Sequence, residues 1–412
     1  MSDDPPQEEN MEEEGSDSEE GEHLEVIDLD ELLGDPDDEE WEEEGEGPAE
    51  GDAEPEQDLD AVFPGIAVVQ PKVSFCGHQG SVFCVAAGDV EGQSVAVSGG
   101  EDDKAFVWNT SDASIRFVCE GHKDSVVHTG VSHDAAYLFS ADMAGVIKVW
   151  NISNGEEVWS GEAAEPKWVK WHPKAHVLIA ATEDGSLYMW QIPQGQCKVY
   201  QASGAITAAE FFPDGKRLAF GHGSGTVSIL DLKEWKILFN FARKHGQEDE
   251  VLCIDIDAQG TLMATGNLSG SVRVLHSLTG KVIKDIDDPA FKNCPEDERA
   301  IESVAFSKNH PWLAVAGLNG VFSIYDIPTQ TVRHTCSRAG LKGITKMAWL
   351  ASTDLLMVGH LNGLLSLWDS KTGQLQRIFK CQRDEVLDLV VTLDGGRALA
   401  ACDNADVYVF DL

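Results

Sequence analysis

A short motif recurs every 40 to 50 residues through most of this 412-residue chain. Each copy is an apolar or aromatic residue that ends a β-rich run and is usually followed by Asp or Asn. The spacings between successive copies are 42, 40, 40, 45, 50, 43 and 42 residues. Repetition at this period predicts small sheets that bury their apolar faces only by stacking on one another. The eight copies are Trp108-Asn109, Trp150-Asn151, Trp190-Gln191, Leu230-Asp231, Leu275-His276, Tyr325-Asp326, Trp368-Asp369 and Phe410-Asp411.

Within each unit, short apolar strands alternate with turns such as Pro213-Asp214-Gly215 and Glu183-Asp184-Gly185. The strands are often β-branched and are bounded by turn residues, as in an antiparallel sheet. The period and the Trp-Asp ends resemble WD40 repeats. We therefore predict an all-β chain in which residues 63–412 form one eight-bladed WD40 propeller.

The first unit contains the residue types that hold a WD40 blade together. A buried carboxylate is tolerated only when it is hydrogen-bonded, and His, Ser and Trp side chains can supply that network. The four predicted members are His78, Ser98, Asp102 and Trp108.

The other units match this network less well. His122, Ser140 and Trp150 provide three of the four groups in the second unit, so only the first unit is predicted to be complete. His222 and His360 fall on second strands, where we interpret them as ordinary packing neighbours.

The last unit reaches the end of its third strand at Phe410 and leaves no residues for an outer strand. We expect part of residues 64–75 to supply that strand and so to close the ring, which removes an exposed sheet edge. Pro64 and Pro71 bracket the candidate strand, and proline is tolerated on an edge.

The negative charge of the chain is concentrated at its start. The formal net charge is −42, and residues 1–62 contain 30 Asp or Glu with no Lys or Arg. Such a segment cannot bury enough apolar surface to fold alone, so residues 1–62 are predicted to be a disordered acidic tail. Its apolar stretch from Leu24 to Leu33 is interpreted equally well as a partner-binding element or as a chance patch. The remaining 42 acids and 30 bases argue against direct binding to nucleic acid or to an anionic membrane.

Several further function classes lack support in the sequence. There is no phosphate-binding loop, no nucleophile elbow and no His-Glu-x-x-His motif, so we predict no enzyme, no cofactor and no metal site. The first residues lack the features of a signal peptide. Nine widely spaced cysteines without a Cys-x-x-Cys pair indicate reduced thiols. We expect a monomer in the cytoplasm, with the nucleus as a second location.

A family resemblance rests on three stretches. They are Gly99-Gly100-Glu101-Asp102-Asp103-Lys104-Ala105-Phe106-Val107-Trp108, Gly121-His122-Lys123-Asp124-Ser125-Val126 and Trp168-Val169-Lys170-Trp171-His172-Pro173. Together with the acidic tail, they resemble the angio-associated migratory cell protein family. The resemblance implies two roles. One is that of a fungal ribosome-assembly chaperone that escorts a basic protein of the large ribosomal subunit. The other is a Rho-linked scaffold in cell migration and vessel formation.

The charge distribution bears on this choice. An acidic body and tail suit a basic client such as a ribosomal protein, and they do not suit heparin, a polyanion that the animal members are said to bind. We therefore favour the escort and keep the cytosolic signalling scaffold as the alternative.

The predicted binding surface is the end of the propeller that carries the tight turns and the loops before each first strand. Its candidate residues are Glu101, Asp103, Asp124, Glu165, Trp168, Glu183, Asp249, Glu250, Asp384, Glu385 and Asp403. An ordinary solvated rim, and for Trp168 packing between blades, are the competing interpretations.

Overall fold

In the computed structural model, the repeating units are four-stranded antiparallel sheets arranged as the eight blades of one β-propeller. The structure describes residues 58–242, 249–351, 353–382 and 385–412. The predicted fold is confirmed. Among these residues, no helix has the length and apolar character that a membrane span requires.

Each blade runs from an innermost first strand to an outermost fourth strand, and consecutive strands are hydrogen-bonded neighbours. The strands of blades one to four are β3 Val82–Val90, β4 Gln93–Gly100, β5 Ala105–Asn109 and β6 Ile115–Cys119; β7 Val126–Val131, β8 Tyr137–Asp142, β9 Val146–Asn151 and β10 Glu157–Glu162; β11 Pro166–Trp171, β12 Val177–Thr182, β13 Ser186–Gln191 and β14 Gln196–Gln201; β15 Ile206–Phe211, β16 Arg217–His222, β17 Val227–Asp231 and β18 Lys236–Phe241.

The remaining blades repeat the same plan. Their strands are β19 Val251–Ile256, β20 Leu262–Asn267, β21 Val272–His276 and β22 Val282–Ile286; β23 Ile301–Phe306, β24 Trp312–Gly317, β25 Phe322–Asp326 and β26 Thr331–Cys336; β27 Ile344–Trp349, β28 Leu355–His360, β29 Leu364–Asp369 and β30 Gln374–Lys380; β31 Val386–Val391, β32 Arg397–Cys402 and β33 Val407–Asp411. Blades five and six are joined by helix α2, Pro289–Lys292, and a 3-10 turn, Glu296–Glu298.

The hydrophobic core lies between adjacent blades. The second strand of each blade is buried on both faces, and every residue of β24 is buried. This burial explains why second strands are almost continuously apolar in sequence, since stacked sheets exclude water from both of their faces.

The ring closes through β2, Val73–Phe75, which pairs antiparallel with β33 as the outer strand of blade eight. Phe75 is buried there and stacks on Trp108 of blade one, with ring centroids 4.7 Å apart. The closing strand falls within residues 64–75, as expected, but it follows Pro71 instead of lying between Pro64 and Pro71. That segment forms β1, Ala67–Val69, which pairs in parallel with β30 as a fifth strand of blade seven.

The described structure begins a few residues before the predicted tail boundary at residue 62. Asp58 accepts hydrogen bonds from the backbone of Asp60 and Ala61 and so caps helix α1, Leu59–Val62. The following Phe63 is fully buried against Leu364 and Ile378 of blade seven. The propeller therefore includes residue 58 onward, because these apolar side chains find a partner surface. Residues 1–57 of the predicted tail lie outside the described residues.

Candidate protein-binding face

The predicted four-residue network is present in blade one. An indole N–H can only donate, so Trp108 donates to Ser98 Oγ at 3.1 Å, and that hydroxyl donates to His78 Nε2 at 2.9 Å. His78 Nδ1 then donates to Asp102 Oδ1 at 2.9 Å, and the backbone of Gln79 donates to the same carboxylate. Burial favours a raised pKa for Asp102, but the hydrogen bonds from His78 and from backbone N–H groups outweigh it and lower the pKa. The network fixes the tight turn of blade one to the loop before its first strand.

Blade two contains a full network as well, so the expectation that only blade one is complete is wrong. Trp150 donates to Ser140, which is 2.7 Å from His122 Nε2, and His122 Nδ1 is 3.2 Å from Asp142. The carboxylate comes from the last residue of the second strand instead of from the tight turn. Asp142 also accepts from the backbone N–H of Val146 at 2.8 Å. Burial lowers the pKa of His122, against the opposing effect of Asp142.

The two histidines interpreted as ordinary neighbours belong to related networks. His360 Nε2 is 2.7 Å from Ser366 Oγ, which accepts from Trp368 Nε1 at 2.8 Å. His222 Nε2 is 3.0 Å from Ser228 Oγ in blade four. Both rings are buried, and burial lowers the pKa of each, to about 4 for His360. In these two blades the histidine is the last residue of the second strand, whereas in blades one and two it lies in the loop before the first strand.

One hydrogen bond repeats in all eight blades and defines the face of interest. The first residue after the second strand donates its N–H to the carbonyl of the segment before the first strand, as from Glu183 to Glu165 at 3.1 Å. The tight turns and the loops before the first strands therefore lie together at one end of the ring. We name this end the upper face, and we name the opposite end, with the turns that join strands one to two and three to four, the lower face.

Small turns keep the upper face compact. Gly145 has φ +92°, and a Cβ there would lie 2.0 Å from the carbonyl oxygen of Ala163. Only glycine fits so close an approach at positive φ. Asp103, one of the predicted binding residues, also has a positive φ of 58°.

Most of the predicted acidic residues are on the upper face and reach solvent. Those that are exposed are Glu101, Asp103, Asp124, Glu183, Glu385 and Asp403, while Glu165 and Glu250 are half-buried. Two contacts converge on Ser81: Glu101 accepts from its backbone N–H, and Asp403 accepts from its hydroxyl. Asp384 lies outside the described residues.

The placement of Asp249 among the exposed acids is wrong. Its side chain is buried and accepts hydrogen bonds from the Ser269 backbone and from the Ser269 and Ser271 hydroxyls. Blade five thus reverses the arrangement of blade one: the acceptor comes from the loop before the first strand, and the donors come from the tight turn. Asp249 is a structural residue.

Trp168 packs between blades. It is half-buried at the blade three–blade four boundary, and its ring centroid is 5.7 Å from that of Phe211. Lys170 Nζ lies 5.7 Å from the same indole ring. The aromatic-anchor interpretation of Trp168 therefore loses its basis, since most of the side chain faces a neighbouring blade.

Lysines among these acids are already paired with carboxylates. Lys167 Nζ lies 2.7 Å from Glu165 and 3.1 Å from Glu183, and its hydrogen bonds to Glu165 and Glu183 raise its pKa. Lys123 pairs with Glu162 at 2.7 Å. Because these cations are neutralised locally, the field over this part of the face is set by the remaining exposed carboxylates.

Sequence reasoning missed two features of the upper face. The linker between blades five and six adds a run of exposed acids, Glu296–Glu298, ahead of β23. The unusual 50-residue spacing between Leu275 and Tyr325 was the signal for this insertion. Two tight turns also present exposed apolar side chains, Met143 and Leu268, with 43% and 51% of their surface accessible. The face therefore offers both carboxylates and apolar contacts to a partner.

Charged side chains also line the channel inside the ring, where first strands are innermost. Lys170 pairs with Glu210 at 2.5 Å, and Lys346 pairs with Asp388. Asp255 is half-buried in this region, and its removal from water, together with the charge of Glu210, raises its pKa to about 7. A cavity of about 590 Å³ at the lower end of the channel is lined by Glu210, Asp255 and Trp349, among other residues.

Comparison with known proteins agrees with this architecture. The family profile "WD domain, G-beta repeat" matches residues 69–109, 113–151, 236–275 and 292–326. The human "Angio-associated migratory cell protein" is 36% identical over 405 residues, which cover 94% of this chain and 92% of the relative. The chain belongs to the angio-associated migratory cell protein family. The predicted resemblance is confirmed.

More distant similarity connects the chain to a ribosome-assembly protein. The "Ribosome assembly protein SQT1" of Saccharomyces cerevisiae is 23% identical over 346 residues, 77% of this chain and 79% of the relative. A crystal structure of Chaetomium thermophilum Sqt1 bound to the N-terminus of the ribosomal protein L10 superposes with a TM-score of 0.74 at 20% identity. The match covers 83% of this chain and 99% of that one. At this identity the structural likeness shows the shared fold.

Proposed function

We propose that this protein is a non-enzymatic escort that captures a basic segment of a large-subunit ribosomal protein on its upper face. The carrying observation is the set of exposed carboxylates around the tight turns, whose neighbouring lysines, Lys123 and Lys167, are already paired with acids, Glu183 among them. A WD40 ring with such a surface supports a protein-binding role. The fungal relative named for ribosome assembly supports the choice of client.

The client that we propose is the N-terminal segment of ribosomal protein L10. Chaetomium thermophilum Sqt1, which shares the fold, has been crystallised with that segment bound. A nascent ribosomal protein must neutralise its cationic RNA-binding surface before it reaches RNA, and a ring of carboxylates can do so by electrostatic complementarity. We further propose that the escort acts as a monomer in the cytoplasm, without nucleic acid or cofactor.

The acidic N-terminal segment extends this proposal. Residues 1–57 lie outside the described residues, but their composition adds a large negative charge to the chain. Such a charge raises the rate of encounter with a cationic partner more than it raises specificity. Removal of residues 1–57 is therefore expected to slow association and to leave dissociation nearly unchanged.

Charge reversal on the upper face tests the proposal. The variant carries Glu101→Lys, Glu183→Lys and Glu385→Lys, three exposed positions on the upper face. Asp103 is left unchanged because its φ is positive, a conformation in which Asp is better tolerated than Lys; at Glu91 of the control, which also has a positive φ, one long side chain replaces another. The matched control carries Glu91→Lys, Glu156→Lys and Glu234→Lys, which alter the same charge on the lower face.

The assay is stopped-flow association of a labelled L10 N-terminal peptide at several salt concentrations. Electrostatic steering predicts that the upper-face variant associates about tenfold or more slowly, whereas the control stays within about twofold. Salt should slow the wild-type protein, because screening shortens the reach of charge from about 10 Å at 0.1 M to about 3 Å at 1 M. Salt-independent association, or equal effects of the two variants, would rule out capture by this face.

The name of the human relative favours a second candidate, a scaffold for signalling proteins in migrating cells. Affinity purification from translating cells separates the two. An escort should recover one ribosomal protein in stoichiometric amount, whereas a scaffold should recover several signalling proteins and no ribosomal protein.

A further inference from the structure

On the lower face, two histidines and a carboxylate from neighbouring blades converge at one point. His133 and Asp134 belong to the turn between β7 and β8, and His176 belongs to the corresponding turn of blade three. One ligand atom from each side chain can be chosen so that all three lie within 4.8 Å of one another. We propose that His133, Asp134 and His176 bind a divalent transition-metal ion, with Zn²⁺ as the best match, and thereby join blades two and three.

The distances suit such an ion. Zinc bonds to imidazole nitrogen and carboxylate oxygen are about 2.0–2.2 Å long, so the ligand atoms of a tetrahedral site lie about 3.3 Å apart. His176 Nε2 is already 2.9 Å from Asp134 Oδ2. The ion replaces the proton that these two atoms share, the proton passes to solvent, and the pair opens by a few tenths of an ångström. His133 closes the third position by a small movement of an exposed side chain.

The carboxylate is oriented before any ion arrives. Asp134 Oδ1 accepts hydrogen bonds from the Ser132 hydroxyl at 2.8 Å and from the Ala136 N–H at 3.2 Å, which leaves Oδ2 directed toward His176. The edge of Tyr137 packs on the His176 ring, with centroids 4.9 Å apart. Such outer contacts hold ligands in place at protein metal sites.

The donor set selects the metal class. Two imidazoles and one carboxylate favour Zn²⁺ and its transition-metal neighbours over Mg²⁺ or Ca²⁺, which prefer oxygen ligands alone. Three protein ligands leave a fourth position for water or for a donor from a partner.

The fold supplies an internal control. Blades six and seven make a similar contact between the same turns, where His310 Nε2 lies 2.6 Å from Asp354. There the second carboxylate oxygen pairs with Lys371 at 2.6 Å, so a side-chain cation already neutralises the carboxylate. That pair is a salt bridge, and we expect no metal ion there.

Titration calorimetry of the full-length, metal-stripped protein with Zn²⁺ tests the site. The wild type and His310→Gln are expected to bind one ion with the same affinity, and His133→Gln and His176→Gln are expected to bind it at least tenfold more weakly. Visible absorption of Co²⁺ added in place of Zn²⁺ reports imidazole ligation and should be lost in the same two variants. All three replaced side chains lie in turns, and circular dichroism checks that each variant keeps its strands. Absence of saturable binding to the wild type, or equal binding by all four proteins, would overturn the assignment.

Discussion

Replacement of Asp142 by alanine should destabilise the propeller more than the loss of any exposed acid. Asp142 is fully buried, and its carboxylate accepts from His122 Nδ1 at 3.2 Å and from the backbone N–H groups of Lys123 and Val146 at 2.9 and 2.8 Å. Alanine removes all three acceptor contacts at once. It also releases the orientation of the imidazole that connects to Ser140 and Trp150.

The size of the destabilisation follows from the N–H donors that lose their acceptor when Asp142 is replaced. An unsatisfied buried donor costs about 1–3 kcal/mol, and hydrogen bonds to a charged group lie at the upper end of that range. Lys123 is exposed, so water can replace the partner of its N–H, whereas Val146 and the His122 ring are screened from solvent. Two uncompensated donors therefore predict a loss of about 3–5 kcal/mol in the free energy of unfolding.

Urea denaturation followed by tryptophan fluorescence measures this loss, with Asp124→Ala as the control. Asp124 precedes the same strand but is exposed and accepts one bond, from the N–H of Ser125 at 2.8 Å. Surface replacements of this kind usually stay within about 0.5 kcal/mol. Equal midpoints for Asp142→Ala and Asp124→Ala would refute the network as a source of stability.

Three further changes have expected outcomes. Asp102→Ala should lower the free energy of unfolding by about 1–3 kcal/mol in urea denaturation, and Asp403→Ala by no more than about 0.5 kcal/mol, because only Asp102 belongs to a buried network. Phe63→Ala should cost about 3–5 kcal/mol in the same assay, because Phe63 is fully buried against blade seven. Because the pKa of Asp255 is raised to about 7, the folded state retains a proton that the unfolded chain loses above about pH 4. Asp255 should therefore contribute a fall in stability of up to about 1.4 kcal/mol per pH unit between about pH 4 and 7, opposite in sign to the contribution of the buried His222 and His360. In denaturation series across this range, the stability of the wild type should fall relative to that of Asp255→Asn, which lacks this contribution. Unchanged stability in Phe63→Ala, or an unchanged slope in Asp255→Asn, would contradict the corresponding assignment.

The sequence was sufficient to predict the blades, because the repeat period and the strand pattern follow directly from how stacked sheets bury their faces. It was also sufficient for the blade-one network, where every member has its usual position. It was insufficient for blade two. There the carboxylate that contacts His122 is Asp142, which lies two residues before the position, six residues before Trp150, where the blade-one pattern places it. Hydrogen bonding depends on where an acceptor lies in space, and a fixed count back from Trp150 does not capture that.

The other errors have the same physical origin. Asp249 and Glu250 are adjacent acids before a first strand, and only contact with Ser269 and Ser271 distinguishes the buried residue from its neighbour. Val73–Phe75 and Ala67–Val69 are equally short apolar runs, and their assignment to blades eight and seven depends on which sheet edge each one reaches.

Binding of a basic ribosomal-protein segment to the upper face is tested most directly by hydrogen–deuterium exchange. The full-length protein is measured with and without the L10 N-terminal peptide. We predict slower exchange in the upper turns around residues 101–104 and 183–185, and no change in the lower turns around residues 91–92 and 154–156. Protection confined to the lower turns, or no protection anywhere at saturating peptide, would contradict capture by the upper face.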